Sequence, residues 1–453
     1  MNAKGWRKST LGEIAKMPNG LVDGPFGSNL PASLYTQYGV PVIRGSNLSL
    51  GVSRFNNTEF VYVSEETADR LSRSVAVGED IIFTKKGTLG QTGFIPLNTE
   101  YARYLLSSNQ MKLSVDTAVA YPLFVYYYVS SKGSRDKIIR DSTVTGVPKT
   151  NVTYLKDFPI LLPPLAEQQA IASVLGALDD KIELNRKMNK TLEDMAAALF
   201  KSWFVDFDPV HAKAEGRKPF GMDDETAALF PDGFSGGLPS GWNTHRLGEL
   251  CDFITGRSYS SKDLKNDSDT ALVSLKSFMR GGGYRPDGLK PYAGPYKEQQ
   301  VIIPGEIVVA RTDVTQQAEV IGRAAFVRQD PSFVKLISSL DVMICRPVNE
   351  LSKQFLYWTL RSDDYVNHIL GYTNGTTVLH LDTAGLNEYN ILLPSISVME
   401  CFERMSAKYH ELVFTNEKES TILAELRDTL LPKLLSGDIR IKQAEDVVGE
   451  ILL

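Results

Sequence analysis

The fold is decided by residues 160–186, which read ILLPPLAEQQAIASVLGALDDKIELNR. Apolar side chains recur there every three or four residues, the spacing of one buried face on a helix. The pattern continues to residue 204, and Gly176 is the only glycine or proline within it, so residues 165–204 predict one helix about 60 Å long. The positions that form this face are Ile171, Leu175, Leu178, Ile182 and Leu192.

A second stretch of the same kind begins with the same four letters at residues 391–418, which read ILLPSISVMECFERMSAKYHELVFTNEK. The pattern continues past residue 418, and the apolar face of this second helix includes Tyr409, Val413 and Leu423. A helix of this length must bury its apolar face against something, and the other long helix is the obvious partner. The sequence therefore predicts two long helices that pack together.

One polar residue interrupts each apolar face at the same place. Asn185 lies in the first helix, and Asn416 lies at the corresponding position of the second. A polar residue at a coiled-coil seam lowers stability but fixes the register of the two helices. The alternative is a solvated position on a slightly rotated face, and the sequence leaves both interpretations open.

The two helices belong to a duplication of the whole chain. Residues 5–13 carry Gly-Trp and Leu-Gly-Glu, which recur at residues 241–249. Residues 124–127, Phe-Val-Tyr-Tyr, recur as Phe-Leu-Tyr-Trp at residues 355–358. Each copy begins with about 155 residues of strand-like segments separated by Gly, Asn and Pro turns. The predicted fold class is α+β, with two duplicated mixed α/β domains and two long paired helices in a pseudo-two-fold arrangement.

Proline stops and turn-forming residues set the predicted boundaries. A linker is expected where four prolines and a Ser-Gly-Gly run cluster. The predicted segments are a first domain at 1–162, a central long helix at 163–208, the linker at 209–240, a second domain at 241–393, a C-terminal long helix at 394–436 and a tail at 437–453.

The net charge of −5 argues at first against a nucleic-acid-binding protein, whose binding face is usually basic. The charge is unevenly distributed, however. Residues 1–160 hold 18 basic and 13 acidic side chains and residues 241–391 hold 16 and 17, while the rest of the chain is acidic. The globular copies are thus neutral to basic. We expect the second copy to grip phosphates more weakly than the first, unless its basic residues cluster on one face.

Catalytic and targeting signals are missing from the sequence. It contains no Gly-x-x-x-x-Gly-Lys-Ser/Thr loop, no Gly-x-Gly-x-x-Gly fingerprint and no His-Glu-x-x-His motif. Cys251, Cys345 and Cys401 form no Cys-x-x-Cys pair, which favours buried thiols in a reducing cytosol. The start is polar, and the longest apolar run, residues 123–129, is too short to span a bilayer. We therefore expect a cytoplasmic protein with no membrane segment, metal site or cofactor of its own.

Polar, glycine-rich loops follow strand-like runs in both copies and are the candidate DNA-binding sites. Lys and Arg grip phosphates, while Arg and Gln pair with base edges. The alternative is that these loops are merely solvent-exposed turns. In the first copy the candidates are Lys85, Lys86, Thr88, Gln91, Thr143, Thr145, Lys149 and Asn151. In the second copy they are Arg311, Thr312, Gln316, Gln317, Asn374, Thr376, Thr377 and His380.

A nuclease is one alternative function. Asp232, followed by Asp263 and Lys265, matches the loose Pro-Asp…Asp-x-Lys pattern of metal-dependent nucleases, in which two carboxylates and a lysine hold Mg²⁺ and a nucleophilic water. However, Pro-Asp-Gly is typical of a turn, whereas such a site needs its first acid on a strand. The pattern is also missing from the first copy.

Several short motifs are typical of one known family. They are the duplicated Gly-Trp-x₄-Leu-Gly-Glu start, Gly-Pro-Phe-Gly-Ser at 24–28, Leu-Ala-Glu-Gln-Gln-Ala-Ile at 165–171 and the helix exit FKSWFVDFDP at 200–209. On these motifs the chain resembles, over nearly its whole length, the specificity subunit of type I restriction-modification enzymes. The second copy departs from the pattern, because Glu-Gln-Gln at 167–169 becomes Val-Met-Glu at 398–400. The contacts of those polar residues need not be equivalent in the two copies.

The resemblance implies a non-catalytic subunit of a restriction endonuclease and adenine-N6 DNA methyltransferase complex. Residues 1–162 and 241–393 would be target-recognition domains, each reading one half of a split site in double-stranded DNA. The two helices would form an antiparallel coiled coil that fixes the spacer and docks two methyltransferase (modification) subunits and two restriction (motor-nuclease) subunits. S-adenosylmethionine, ATP and Mg²⁺ would belong to those partners. A stand-alone regulator that binds a bipartite DNA site is the other alternative function.

A first prediction concerns the spacer between the two half-sites. Inserting about four residues, one helical turn, into the first long helix should lengthen the unread spacer. The spacer is measured by mapping the methylated bases that the assembled methylase produces. An unchanged spacer together with an altered half-site would contradict this role of the helix.

Overall fold

The computed structural model describes residues 5–142, 149–315, 317–348 and 351–452. The chain forms two compact units. Unit 1 comprises residues 1–188 and 415–453, and unit 2 comprises residues 189–414. Both units combine helices with sheets, and each contains part of both long helices.

The elements of unit 1 come first along the chain. Its strands are β1 (Arg7–Thr10), β2 (Leu21–Asp23), β3 (Tyr35–Thr36), β4 (Val40–Ile43), β5 (Val61–Val63), β6 (Val75–Ala76), β7 (Ile81–Thr84), β8 (Thr92–Phe94), β9 (Tyr104–Leu106), β10 (Gln110–Leu113) and β11 (Pro159–Leu162). Its helices are α1 (Glu65–Arg70), α2 (Pro122–Ser130), α3 (Lys132–Arg140) and α4 (Val152–Lys156). The long helix α5 (Leu165–Phe204) begins in unit 1 and ends in unit 2.

The elements of unit 2 follow. Its strands are β12 (Phe234–Ser235), β13 (Leu238–Pro239), β14 (Asn243–Arg246), β15 (Cys251–Thr255), β16 (Thr270–Val273), β17 (Lys290–Pro291), β18 (Val301–Ile302), β19 (Ile307–Ala310), β20 (Thr312–Asp313), β21 (Ala324–Phe326), β22 (Lys335–Ser338), β23 (Val342–Pro347), β24 (Thr373–Asn374), β25 (Leu379–Leu381) and β26 (Asn390–Leu393). Its helices are α6 (Asp208–Ala214), α7 (Asp224–Ala228), α8 (Leu247–Leu250), α9 (Lys353–Thr359), α10 (Asp363–Leu370) and α11 (Thr383–Glu388). The chain ends with α12 (Ile396–Ser436) and α13 (Ile441–Leu452).

The sheets repeat the same topology in both units. Unit 1 has a sheet of order β2-β10-β7-β8, and unit 2 has the corresponding order β15-β23-β19-β21. A second sheet contains the parallel pair β4/β9 in unit 1 and the parallel pair β16/β22 in unit 2. The first strand of each copy pairs antiparallel with the last, as β1 with β11 and β14 with β26. The predicted α+β class with duplicated mixed units is confirmed.

The central strands are buried because their sequences are apolar throughout. Strand β4, Val-Pro-Val-Ile, and strand β19, Ile-Val-Val-Ala, are buried at every residue. Strands covered on both faces are expected to read as continuous β-branched and apolar runs rather than alternating ones. The loops that follow these strands are therefore anchored to buried, closely packed segments of the chain.

The two long helices pack antiparallel within each unit. In unit 1, Asp179 contacts Arg427 and Asn185 contacts Asn416, so residue numbers rise along α5 as they fall along α12. In unit 2, the Asn189 side chain donates to the Val413 carbonyl at 3.4 Å. The apolar positions Ile171, Leu175, Leu178, Ile182, Val413 and Leu423 are buried, and Leu192 and Tyr409 are half-buried. The predicted pairing of the two helices is confirmed.

Asn185 occupies a seam position rather than a solvated one. It is fully buried, and its amide nitrogen donates to Glu419 Oε2 at 2.7 Å and to the Asn416 carbonyl at 3.2 Å. These bonds can form only in one register of the two helices. The seam interpretation therefore applies, and Asn185 supplies the kind of register marker that a buried polar residue provides in coiled coils.

The family string at 165–171 has a structural role in unit 1. Gln168 is buried, accepts a hydrogen bond from the Tyr121 backbone N–H at 2.9 Å and donates to the Pro163 carbonyl at 2.8 Å. It thereby joins the start of α5 to the start of α2. In the second copy this position is Met399, which is buried as an apolar residue, so the two junctions use different chemistry.

Two segments are more ordered than their composition suggests. The predicted linker contains α6 and α7 and buries Val210 and Phe230 in the core of unit 2. The predicted tail contains α13, which buries Ala444 and Val448 in the core of unit 1. In both segments a few apolar side chains, separated by turn-forming residues, pack into the core of a unit. The local sequence does not show that this core is available to them.

No helix in the described part of the chain combines the length and the apolar character that crossing a bilayer requires.

Candidate nucleic-acid interface

In unit 1 the structure brings together two loops that are distant in sequence. Lys86 forms an antiparallel bridge with Lys149, and the Thr150 N–H donates to the Lys85 carbonyl at 3.0 Å. Lys85 also forms an ion pair with Asp23 at 2.8 Å. Candidate residues from both loops therefore lie on one edge of the unit, at the end of β7.

The candidates in unit 1 differ in how accessible they are. Lys86, Thr88, Lys149 and Asn151 are exposed. Asn151 also caps α4, because its Oδ1 accepts the Tyr154 N–H at 2.8 Å. Thr143 and Thr145 lie outside the described residues.

The Gln91 side chain is held within unit 1. It is half-buried, its Nε2 donates to the Leu48 carbonyl and its Oε1 accepts from Thr84 Oγ1, both at 3.4 Å. These hydrogen bonds stabilise the loop between β7 and β8, of which Gln91 is the last residue. They give no support to a base contact by the Gln91 amide.

In unit 2 the candidates are joined by a small sheet of order β20-β25-β24. Thr312 pairs with His380, and Asn374 pairs with His380 from the other side. The Leu381 N–H donates to the Arg311 carbonyl at 2.9 Å. The candidates with exposed side chains in these strands and the adjoining loops are Gln317, Asn374, Thr376, Thr377 and His380. Gln316 lies outside the described residues.

Thr312 and Arg311 form the base of this group. Thr312 is buried, and its Oγ1 donates to Asp341 Oδ1 at 3.1 Å. The Arg311 N–H donates to the Asp341 carbonyl at 2.7 Å, and the Arg311 side chain is half-exposed. Thr312 therefore anchors the strand, while Arg311 and His380 present side chains outward from it.

The same strand pairing recurs in the two units. The bridge between Lys86 and Lys149 in unit 1 corresponds to the pairing of Thr312 with His380 in unit 2. The sequence interval from Lys86 to Thr312 is nearly the interval that separates the duplicated motifs. The interval from Lys149 to His380 is also nearly the same. The duplication therefore preserves the place of the polar loops and varies the side chains at that place.

One residue that the sequence analysis missed organises the loop of unit 2. Asp313 is fully buried, and its carboxylate accepts from the N–H groups of Thr315 at 2.8 Å, Val320 at 2.7 Å and Ile321 at 3.2 Å. Burial alone raises the pKa of Asp313, but these hydrogen bonds hold the pKa below its ordinary value. The Asp-x-Thr spacing is typical of an Asx turn and is the local signal that could have identified it.

We predict a pH-dependent effect of Asp313→Asn on stability. Because the folded-state pKa lies below the unfolded value, the stabilising contribution of the carboxylate is present at neutral pH and is lost as pH falls through the folded pKa. The asparagine NH₂ opposes a backbone donor, so the variant should unfold more easily at neutral pH. The deficit, measured by urea unfolding of both proteins, should shrink below about pH 4. A deficit that is the same at neutral and acidic pH would show that the charge of Asp313 does not contribute.

The nuclease alternative finds no assembled site in the described residues. Asp232 forms an ion pair with Lys213 at 2.8 Å, and Asp263 accepts from the Ser260 N–H at 2.7 Å. Within the described ranges no group of three or more His, Cys, Asp or Glu side chains is placed to hold a metal ion. Cys251, Cys345 and Cys401 are buried free thiols.

A family model matches most of the chain. The model describes the type I restriction modification DNA specificity domain, and it matches residues 3–194 and again residues 239–407. The two matches correspond to the two copies that the repeated motifs define. Together they cover well over half of the sequence.

Two relatives of known class are similar over most of their length. The chain is 26% identical over 400 residues to the type I restriction enzyme HindI specificity subunit of Haemophilus influenzae, covering 77% of this chain and 84% of that protein. It is also 26% identical over 399 residues to the MjaIX specificity subunit of Methanocaldococcus jannaschii, covering 85% of each.

The fold is also similar to a solved structure. The type I restriction-modification S subunit from M. genitalium aligns with a TM-score of 0.53 at 16% identity, over 95% of this chain and 96% of that one. The duplicated units, the paired helices and the two family matches agree with one another. The chain belongs to the family of type I restriction-modification specificity subunits, the non-catalytic subunits that recognise DNA in these systems.

Proposed function

We propose that this specificity subunit reads a split DNA sequence, with residues 1–162 reading one half-site and residues 241–393 reading the other. The observation that carries this proposal is the recurrence of one strand pairing beneath the polar loops of both units. Two equivalent readers in one chain fit two half-sites better than one continuous site.

The two half-sites should differ in sequence. At equivalent places unit 1 carries Lys85 and Lys149, and unit 2 carries Arg311 and His380. Lysine is a strong phosphate ligand, whereas arginine pairs bidentately with guanine. Side chains that differ this much in a shared frame favour an asymmetric target.

The long helices are proposed to dock the partner subunits. Large apolar side chains remain exposed on them, outside the seam between α5 and α12. Exposed apolar residues that recur along a helix mark a surface for another protein. They include Leu184, Met188 and Met195 on α5, and Leu412, Phe414 and Ile422 on α12, each between 42% and 50% exposed.

The partners in this proposal are two methyltransferase subunits and two restriction subunits in the cytoplasm. They would carry S-adenosylmethionine, ATP and Mg²⁺, since this sequence lacks the motifs that bind those molecules. In this proposal the specificity subunit selects the DNA site, and its partners catalyse the reactions there.

Co-expression with the modification subunit tests the docking part of the proposal. The wild-type chain should co-purify with that subunit, and Leu184→Glu should weaken the complex because it places a charge in an apolar contact. Lys190→Glu, at a more exposed position of the same helix, is the matched control and should have little effect. A chain that binds a specific DNA sequence but ignores the modification subunit would instead be a stand-alone regulator.

A further inference from the structure

Three consecutive glycines form a tight turn in unit 2. Gly281, Gly282 and Gly283 have φ values of +78°, +101° and +100°, a region that side chains disfavour. The turn lies against Arg361, whose Nη1 is 3.4 Å from the position that a Cβ of Gly283 would occupy. A side chain at Gly283 would meet Met279 and crowd this guanidinium, and Gly282 and Gly283 are themselves buried, so only glycine lets the turn lie directly beside the cation.

A second arginine lies at the same turn. The Gly281 N–H donates to the Glu319 carbonyl and the Gly283 N–H donates to the Ala324 carbonyl, both at 2.9 Å, so the turn packs against residues 319–324. Arg323 lies within this segment and is half-buried. Its Nε is buried without a hydrogen-bond partner among the described residues.

The two arginines are not neutralised by a close carboxylate. Within the described residues neither Arg323 nor Arg361 has an acidic side chain within 4.0 Å, whereas neighbouring Arg280 pairs with Glu319 at 3.3 Å. Burial, followed by the charge of Arg361, lowers the pKa of Arg323, and the charge of Asp363 offsets this only in part. Two adjacent, half-buried cations oppose folding, and an anion between them would remove that cost.

The guanidinium of Arg361 is held ready for such an anion. It stacks over the rings of Tyr357 and Trp358, with Cζ 5.2 Å and 5.3 Å from the ring centroids. Its Nη1 also donates to the Tyr357 hydroxyl at 2.5 Å. Stacking fixes the plane of the group while leaving other N–H donors at its edge, the geometry that suits a phosphate.

Unit 1 carries a related but weaker version of this arrangement. Gly51, at the corresponding place in the first copy, has φ +89°, and a Cβ there would lie 3.0 Å from Arg135 Nη1. The residue before β8 is Gln91, and the residue before the corresponding strand β21 is Arg323. A glycine beside an arginine therefore occurs in both units, although the two arginines lie at different positions of the repeat, and unit 2 adds a second cation.

We propose that Arg323 and Arg361, which lie at the turn of residues 281–283, bind a backbone phosphate of DNA. This inference rests on the proposed function, since it assigns a backbone contact beside the reading strands. The Gly322 N–H donates to the Ala310 carbonyl at 2.8 Å, which places Arg323 at the base of the same loop that begins at Arg311. A phosphate contact there sets the register of the strands that read bases but carries no sequence information.

The site changes the expectation drawn from charge. Residues 241–391 have one more acidic than basic side chain, yet two arginines of this segment that no close carboxylate neutralises lie together at one turn. Unit 2 can therefore bind a phosphate of the DNA backbone locally although its net charge is nearly zero.

Arg323→Gln is the most informative variant, because glutamine is the residue at the equivalent position of unit 1. Binding of the full chain is measured by fluorescence anisotropy as a function of salt, on its target duplex and on a mixed-sequence duplex. Losing one phosphate contact should reduce the slope of log K against log salt by about one and weaken binding to both duplexes equally. Arg323→Lys keeps the charge and should keep most of the slope.

Arg285→Gln is the matched control. Arg285 follows the same turn, is exposed and forms two hydrogen bonds with Asp287 at 2.7 Å, so its loss should leave the slope unchanged. A wild-type slope in Arg323→Gln, or a loss confined to the target duplex, would overturn the phosphate site while leaving the two-reader proposal intact. A wild-type chain that binds neither duplex would overturn both.

Discussion

Replacing Asp179 with alanine should lower the unfolding free energy of unit 1 by about 3–5 kcal/mol, the usual effect of breaking a buried ion pair from one side. Asp179 and Arg427 are 7% and 8% exposed, and their Oδ1 and Nη1 atoms are 2.7 Å apart. Asp179 Oδ2 also accepts from the Tyr127 hydroxyl at 2.7 Å. The variant leaves a buried guanidinium and a buried hydroxyl without this acceptor.

Asp180→Ala is the matched control for this prediction. Asp180 is the next residue of α5, is 70% exposed and pairs with Arg54 at the surface. Exposed ion pairs contribute only about 0–1 kcal/mol. Urea unfolding followed by circular dichroism compares the two variants. Equal and small losses would show that burial of the Asp179–Arg427 pair does not matter for unit 1.

Phe402→Ala should destabilise unit 2 by about 3–5 kcal/mol, because truncating a buried aromatic ring opens a cavity. Phe402 is fully buried where α12 meets α5 in this unit. Its ring centroid lies 5.2 Å from that of Phe204 and 5.9 Å from that of Phe200, both in edge-on or T-shaped contacts. The variant removes these contacts from an aromatic cluster that α9 also joins, because Phe355 of α9 contacts the rings of Phe200 and Phe204.

Phe414→Ala provides the comparison on the same helix. Phe414 is 42% exposed, so in the isolated chain its loss should change the unfolding free energy by no more than about 0.5 kcal/mol. Thermal and urea unfolding of the two variants give the difference. If Phe402→Ala were as mild as Phe414→Ala, the aromatic cluster would not be the support for unit 2 that its burial indicates.

The long helices were predictable because their signal is local and repeated. Apolar residues every three or four positions over 165–204 specify one helix, and α5 has those bounds. The apolar face required a partner of equal length, and the duplication offered one. The same reasoning missed α13, because Ala444 and Val448 become informative only when the core of unit 1 is known.

The candidate interface was predictable only in outline. Polar loops at equivalent places identified both edges, but the sequence did not reveal that Lys86 pairs with Lys149 or that Thr312 is buried. Whether a polar side chain faces solvent or supports its own loop depends on contacts that are distant in sequence. Gln91 illustrates this, since its amide is bonded to Leu48 and Thr84 rather than presented outward.

The arginine pair at the glycine turn was hidden for a related reason. Arg323 and Arg361 are far apart in sequence and share no motif. Their significance comes from their proximity, their partial burial and the lack of a close carboxylate, which are properties of the folded unit. Counting charges along the chain gave nearly zero for the same segment.

The most direct test of the two-reader proposal is to map methylated adenines in DNA exposed to the chain assembled with its modification subunits. We expect methylation within a split site made of two different half-sites at a fixed separation, and Arg323→Gln should leave that sequence unchanged while slowing the reaction. Methylation of a single continuous or palindromic sequence would contradict the proposal that residues 1–162 and 241–393 each read one half-site.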